Sequence, residues 1–217
     1  MKVVIIGATG ATGKELLELL IANPEVTEII ALVRKPLTVK ETKLQEVVVD
    51  FDRIADWDYD LSADVAFSCM GTTLKAAGSK EAQYKVDYTY QYEFARIAKA
   101  KQIPAFILIS ATSANPYATI FYSRIKGELE QAVEKLNFEN YIVFRPGPLI
   151  RSNSDRGGEK ISISIISFLN KLGFLRKMAP LPVKELAKLM IRYAKNPPPG
   201  HTILESEIIL DEIKKAD

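Results

Sequence analysis

The chain is poor in the residues that build metal centres and hydrolytic triads. It holds one cysteine, Cys69, and one histidine, His201, in 217 residues. A single cysteine excludes an intramolecular disulfide and leaves no basis for a thiolate zinc site. A single histidine removes clustered imidazole ligands and the usual Ser-His-Asp arrangement. No metal is expected, and His201 in PPPGHTILE reads as a loop or strand-edge residue. No apolar run approaches the ~20 residues of a membrane-spanning helix. Charge of one sign is lacking too: Lys plus Arg is 29 and Asp plus Glu is 27, a net charge of +2. That balance leaves no footprint for nucleic acid or a membrane surface. The start MKVVIIGATG lacks the long apolar core and cleavage site of a signal peptide. The default expectation is a cytoplasmic protein with a small-molecule partner.

What is present alternates between buried strands and helices. Lys2 to Ile6 is a continuous apolar run of the kind found in parallel sheets. Helical spacing follows at Leu16, Leu17, Leu20 and Ile21 and stops at Asn23-Pro24. TEIIALVR, LQEVVVD and DVAFSCM read as strands two to four, and a long helix is expected over 79–101. Pro104 opens a fifth strand, AFILIS. A turn at Asn115-Pro116 leads to a further helix, and NYIVFRP is a sixth strand. The pattern predicts an α/β fold, a Rossmann-type doubly wound parallel sheet. A single domain over 1–217 is expected, with a nucleotide-binding core over 1–146 and a small C-terminal substrate lobe and lid over 147–217. In that lobe IRSNSDRGGEK reads as a mobile loop. It is followed by an apolar segment over 161–175, a helix from Val183 to Lys195, a short TILE strand and a terminal helix.

VVIIGATGATGKELLELL sets Gly7, Gly10 and Gly13 between the first strand and the first helix. With 11 glycines in the chain, that spacing would arise by chance roughly 0.03 times. Gly7 suits a tight turn, Gly10 lets a pyrophosphate reach the backbone, and Gly13 lets helix pack on strand. Free amides at the helix start then face the phosphates. The second strand ends in Arg34 and Lys35, where an NAD site usually carries an acid for the ribose 2′-hydroxyl. Two cations suit a 2′-phosphate, so NADP(H) is expected over NAD(H). Asp50 and Phe51 close the third strand where adenine should lie, although Asp50 equally suits a plain turn.

FYSRIKGELE places Tyr122 and Lys126 four apart, on one helical face. Nine tyrosines and twenty lysines give roughly one such match by chance, so the setting decides. Ser110 ends the fifth strand twelve residues earlier. In this setting the chain resembles the short-chain dehydrogenase/reductase superfamily, in its atypical or extended branch. CMGTT, FYSRIKGELE, FRPGPL and ILESEI look most like the Tat-interacting-protein-2 type of oxidoreductase-like proteins, and the resemblance covers nearly the whole chain. It implies that Ser110 holds a substrate carbonyl, Tyr122 donates the proton and Lys126 binds the nicotinamide ribose. Physically, an adjacent ammonium and the positive end of a helix both favour a phenolate. Thr112 and Ser113 stand close enough to replace Ser110. The expected cofactor site also takes in Thr9, Ala11 and Thr12 of the glycine loop, Cys69 and Gly71 of CMGTT, and Pro146. Extended members often carry an asparagine on the helix after strand four. Here the stretch YKVDYTYQY offers Asp87, a carboxylate that cannot donate the same hydrogen bonds unless protonated, and it is left out of the catalytic set.

These residues predict an NADP-dependent oxidoreductase moving a hydride to or from a small carbonyl or alcohol. The alternative is an NADPH-sensing regulator without turnover. Thr72, Thr73, Tyr117, Phe121, Leu149, Ile150 and the loop to Lys160 suggest a largely apolar substrate pocket. Three roles fit the 161–175 segment: lining that pocket, joining a homodimer, or packing in the core.

Overall fold

A computed structural model describes residues 1–150 and 179–215. The expected loop over 151–160 and the apolar segment over 161–175 lie outside the described residues. KVVII forms β1 (Lys2–Ile6), followed by α1 (Ala11–Ala22), β2 (Glu28–Val33) and β3 (Leu44–Val48). β4 (Val65–Ser68) leads to the short helices α2 (Leu74–Ala77) and α3 (Lys80–Tyr84) and to α4 (Tyr90–Ala100). Then come β5 (Ala105–Ile109), α5 (Phe121–Glu134), β6 (Asn140–Arg145), and β7 (Leu149–Ile150). The chain closes with β8 (Leu181–Pro182), α6 (Val183–Lys195), β9 (Gly200–Glu205) and α7 (Ser206–Lys214).

Seven strands form one parallel sheet in the order β3-β2-β1-β4-β5-β6-β9. The chain winds outward from β1 in one direction and from β4 in the other. This is the doubly wound Rossmann-type fold that the alternation predicts. Strand residues alternate between two buried layers because successive side chains point to opposite faces. Val3, Ile5 and Ile107 pack with Leu16 and Leu20 of α1 and Leu186 and Met190 of α6. Val4, Ile6 and Phe106 pack with Phe94 of α4 and Leu129 of α5. Residues beyond 179 extend the sheet and the α1-side layer: β9 pairs with β6 in parallel, and α6 packs on the α1 side. Arg145 at the end of β6 ties these parts together, holding Glu130 of α5 and Glu205 of β9.

The long helix expected over 79–101 is interrupted. Between α3 and α4 the chain makes a π-helical turn, Lys85–Thr89. Hydrophobic spacing is nearly unchanged by one widened turn, so the sequence pattern carries no trace of it. The extra width is held by Gln91, whose side-chain amide donates to the carbonyls of Val86 and Asp87, each at 3.2 Å. Gln91 Oε1 accepts from Ser68 Oγ at 2.9 Å, which fixes the turn to the end of β4.

Gly13 is where α1 rests on the strand. A Cβ there would stand 2.1 Å from the Gly7 carbonyl oxygen. Gly13→Ala is expected to destabilise the fold by about 1–3 kcal/mol, the usual cost of overpacking a close contact. Urea unfolding measures it, and a variant as stable as the wild type would disprove the close seating of α1.

Candidate functional site

The sheet changes winding direction between β1 and β4, and the carboxyl ends of these strands meet at the glycine loop. Gly7 has φ +76°, the left-handed region that favours glycine. A Cβ at Gly7 would come within 2.5 Å of the carbonyl carbon and oxygen of Cys69. The loop therefore lies directly on the end of β4. Gly10 is different. It caps α1 and donates to Gly7 at 2.9 Å, yet a Cβ there would meet protein no closer than 3.2 Å. Internal packing demands glycine at 7 and 13 but only weakly at 10. No side chain caps α1, and its first turn holds no acid. The first amides of that turn, from Ala11 on, have no intrahelical partner and can receive an anion. Thr9 and Gly10 are exposed at this rim, and Thr12 is buried behind it.

At the end of β2, Arg34 and Lys35 are exposed. Asp50 does what a turn residue does: its carboxylate accepts from the Asp52 amide at 2.9 Å and starts the 3₁₀ stretch Phe51–Asp56. Phe51 is buried, with its ring 5.5 Å from Tyr90 and 5.1 Å from Trp57. Tyr90 donates to Asp52 Oδ1 at 2.7 Å, and Lys85 reaches the same oxygen at 2.9 Å. Burial pushes the Tyr90 phenol up to about 12, helped by its bond to Asp52 and the charges of Asp52 and Asp50, with Arg34 opposing. Arg34 thus lies near a polar cluster drawn from the 3₁₀ stretch after β3, the π-helical turn Lys85–Thr89 and the first residue of α4. Tyr90, Asp52 and Lys85 were not among the expected site residues.

The third group lies at the end of β5. Phe106 and Leu108 face the α4–α5 layer, so the alternation carries Ser110 to the same side. Ser110 donates its amide to Phe144 at 2.8 Å, and Thr112 donates to Pro146 at 3.1 Å. Their hydroxyls, Ser110 Oγ and Thr112 Oγ1, are buried without a hydrogen-bond partner among the described residues. Both serve as candidates, as the sequence left them; the Ser113 hydroxyl differs in already accepting from Ser123 Oγ at 2.9 Å. The chain then folds back onto its own helix. Asn115 donates its amide to the Ser123 carbonyl at 3.0 Å, and its side-chain Oδ1 accepts from the Tyr117 amide at 2.9 Å. A Cβ on Gly127 would stand 2.2 Å from Pro116 N. This seating brings Tyr122, near the start of α5 and half-buried, to the same edge as Ser110.

Lys126, one turn below Tyr122, is 2% exposed and faces a fully buried Asp87 across 3.3 Å. Asp87, left out of the expected set, stands in the π-helical turn. Its Oδ2 accepts from the Thr72 amide at 3.4 Å. The Cys69 thiol is pushed up to about 12 by burial, and the nearby charge of Lys126 works against that shift. Cys69 is thus a buried residue packed against the glycine loop and a neighbour of the lysine. Of the expected pocket walls, Thr73 caps α2 by accepting from the Ala76 amide at 3.2 Å. Tyr117 is 86% exposed, and Leu149 and Ile150 form β7.

Comparison with known proteins agrees with this fold. Residues 2–115 match the family described as semialdehyde dehydrogenase, NAD binding domain. The chain is 32% identical to protein HTATIP2 of Rattus norvegicus, covering 99% of this chain and 90% of that protein. It is 32% identical to the mitochondrial protein FMP52 of Saccharomyces cerevisiae, covering 73% of this chain and 71% of that protein. Among solved structures it superposes on the Bordetella bronchiseptica enzyme WbmH, solved with NAD+, at a TM-score of 0.70 with 15% identity, over 98% of this chain and 79% of that one. The oxidoreductase ylbE of Lactococcus lactis gives a TM-score of 0.64 with 20% identity, over 99% and 96%. The chain belongs to the NAD(P)-binding short-chain dehydrogenase/reductase superfamily, in the group that contains HTATIP2 and the FMP52 proteins. The expectation of a cytoplasmic location does not stand, because FMP52 relatives from several fungi are named mitochondrial.

Gly127→Ala tests how the site is assembled. Its Cβ would press on Pro116, and the backbone of 115–116 would have to shift from α5. A loss of about 1–3 kcal/mol in urea unfolding is expected. Stability equal to the wild type would show that the loop is not seated on α5.

Proposed function

We infer that the protein is an NADP-dependent oxidoreductase acting on a small carbonyl or alcohol. The observation that carries this reading is the buried Ser110 hydroxyl, without a partner among the described residues, at the carboxyl edge of β5, on the layer that carries Tyr122 and Lys126. A buried hydroxyl without a partner is costly unless something else satisfies it. A substrate oxygen has the chemistry to do so.

The residues present fit a dinucleotide. The uncapped start of α1 and the space beside Gly10 suit a pyrophosphate. Arg34 and Lys35 suit a 2′-phosphate, with Arg34 able to bind it through two parallel N–H bonds. A bound nicotinamide would supply the hydride. The chain's part is orientation and the proton. Ser110 would hold the substrate oxygen, and Tyr122 would hold the proton at its phenol oxygen. Lys126 would hold the ribose. The exposed side chains of Tyr117 and Ile120, in the loop that leads into α5, offer apolar surface, which fits a substrate of apolar character.

Two outcomes are expected. The wild type should bind NADPH more tightly than NADH, and Arg34→Ala should weaken NADPH binding about ten- to a hundredfold, the worth of one charged hydrogen bond. Fluorescence titration with both cofactors measures this, and equal wild-type affinities would remove the 2′-phosphate role. Tyr122→Phe keeps the ring and removes the proton. Turnover of the best substrate from a screen of aldehydes, ketones and quinones should fall by roughly 10²–10⁴, with little change in cofactor affinity. Full activity in that variant would make the phenol a bystander and favour a cofactor-sensing regulator.

A further inference from the structure

We propose that Asp87 is a positioning residue for Lys126, acting as the fixed counter-ion that aims the ammonium at the nucleotide site. The proposal rests on the reading of that site as a dinucleotide site.

The pair is unusual in where it lies. Lys126 Nζ and Asp87 Oδ1 are 3.3 Å apart, with side chains 2% and 0% exposed. Burying two charges costs more than a surface pair returns, and such a pair is weak evidence for stability alone. The contact is also imperfect as a hydrogen bond. Asp87 Oδ1 has no hydrogen-bond partner among the described residues, so the attraction is electrostatic and the oxygen retains free acceptor capacity. A pair built for stability would saturate its oxygens.

Three further features converge on the same carboxylate. It projects from the π-helical turn Lys85–Thr89, a widened turn of a kind often found at functional sites. That turn is bolted to the sheet by Gln91, which takes the Ser68 hydroxyl and donates to the carbonyls of Val86 and Asp87. The carboxylate also reaches the segment after β4. Asp87 Oδ2 accepts from the Thr72 amide, and a Cβ built on Gly71 would stand 3.6 Å from Oδ1. One side chain therefore links three elements: the β4 exit, the π turn and α5. The direction in which Lys126 points is set by an anchor on the sheet rather than by its own flexible stem. Of the other ionisable groups near Lys126, Cys69 lies at the β4 exit, and Tyr122 and Glu130 lie one turn away along α5. Glu130 is held by Arg145. Asp87 is left as the counter-ion.

This role differs from plain scaffolding in what it predicts. If Asp87 acts only through Lys126, removing either side chain should weaken NADPH binding by the same factor, and removing both should add nothing. The experiment titrates NADPH by fluorescence into wild type, Asp87→Asn, Lys126→Met and the double variant, with urea unfolding of each. The expected result is a ten- to hundredfold loss in each single variant and no greater loss in the double. The double should also be more stable than Asp87→Asn, because it no longer buries an unbalanced cation. Wild-type affinity in a folded Asp87→Asn overturns the proposal and leaves the nucleotide reading intact, as do losses that add. A wild type that does not bind NADPH overturns the nucleotide reading, and the proposal with it. If Asp87→Asn fails to fold, the ¹⁵N spectrum of the wild-type lysine side chains decides. A Lys126 ammonium signal protected from exchange supports the pairing, and one exchanging as fast as the surface lysines overturns it.

Discussion

The close approach of the β1–α1 turn to the end of β4 is the constraint on which the carboxyl edge depends. A Cβ at Gly7 would meet the Cys69 backbone at 2.5 Å, and one at Gly13 would meet Gly7 at 2.1 Å. No side chain fits between these segments. Strand, turn and helix are therefore locked at the point where the sheet reverses its winding, which is where ligands bind in such sheets. Gly10 stands at the same turn without being tightly held by the protein itself. That contrast separates glycines that serve the fold from one that leaves space for something else.

The second organising feature is a polar stripe on α5. Tyr122, Lys126 and Glu130 follow one another at four-residue intervals, so they share one face. That face is half-buried at Tyr122 and turns fully inward at Lys126 and Glu130. Lys126 is answered by Asp87 and Glu130 by Arg145, which also holds Glu205. Burying charge along a helix fixes rotation about its axis, because turning it would strand an ion without its partner. Removing one partner of such a pair costs about 3–5 kcal/mol. The arrangement fixes the orientation of α5, and with it that of Tyr122 near its start.

Much of this was legible in the sequence. Apolar runs of parallel strands and the spacing of Gly7, Gly10 and Gly13 are local signals, and they gave the fold and the loop. Tyr122 and Lys126 lie within one helical turn, and Ser110 ends a recognisable strand. What was not legible depends on long-range meetings. Asp87 meets Lys126 across two helices, and Tyr90 meets Asp52 from 38 residues away. Neither pairing leaves a periodic trace. The π-helical turn was missed for the opposite reason: it changes the backbone locally while leaving the hydrophobic pattern in place. Asp87 was visible as a departure from an expected asparagine, and that departure was the one signal pointing to it.

The central claim is that the glycine loop holds a dinucleotide rather than serving only as a turn. Calorimetric titration of NADPH into wild type and Gly10→Val, with circular dichroism of both, tests it most directly. The Cβ of a valine there would stand 3.2 Å from the Gly7 carbonyl oxygen, a far looser contact than at Gly7 or Gly13, while the side chain fills the space a pyrophosphate needs. The account predicts binding by the wild type, no measurable binding by Gly10→Val, and superimposable spectra. Binding of equal strength in the two proteins would contradict it.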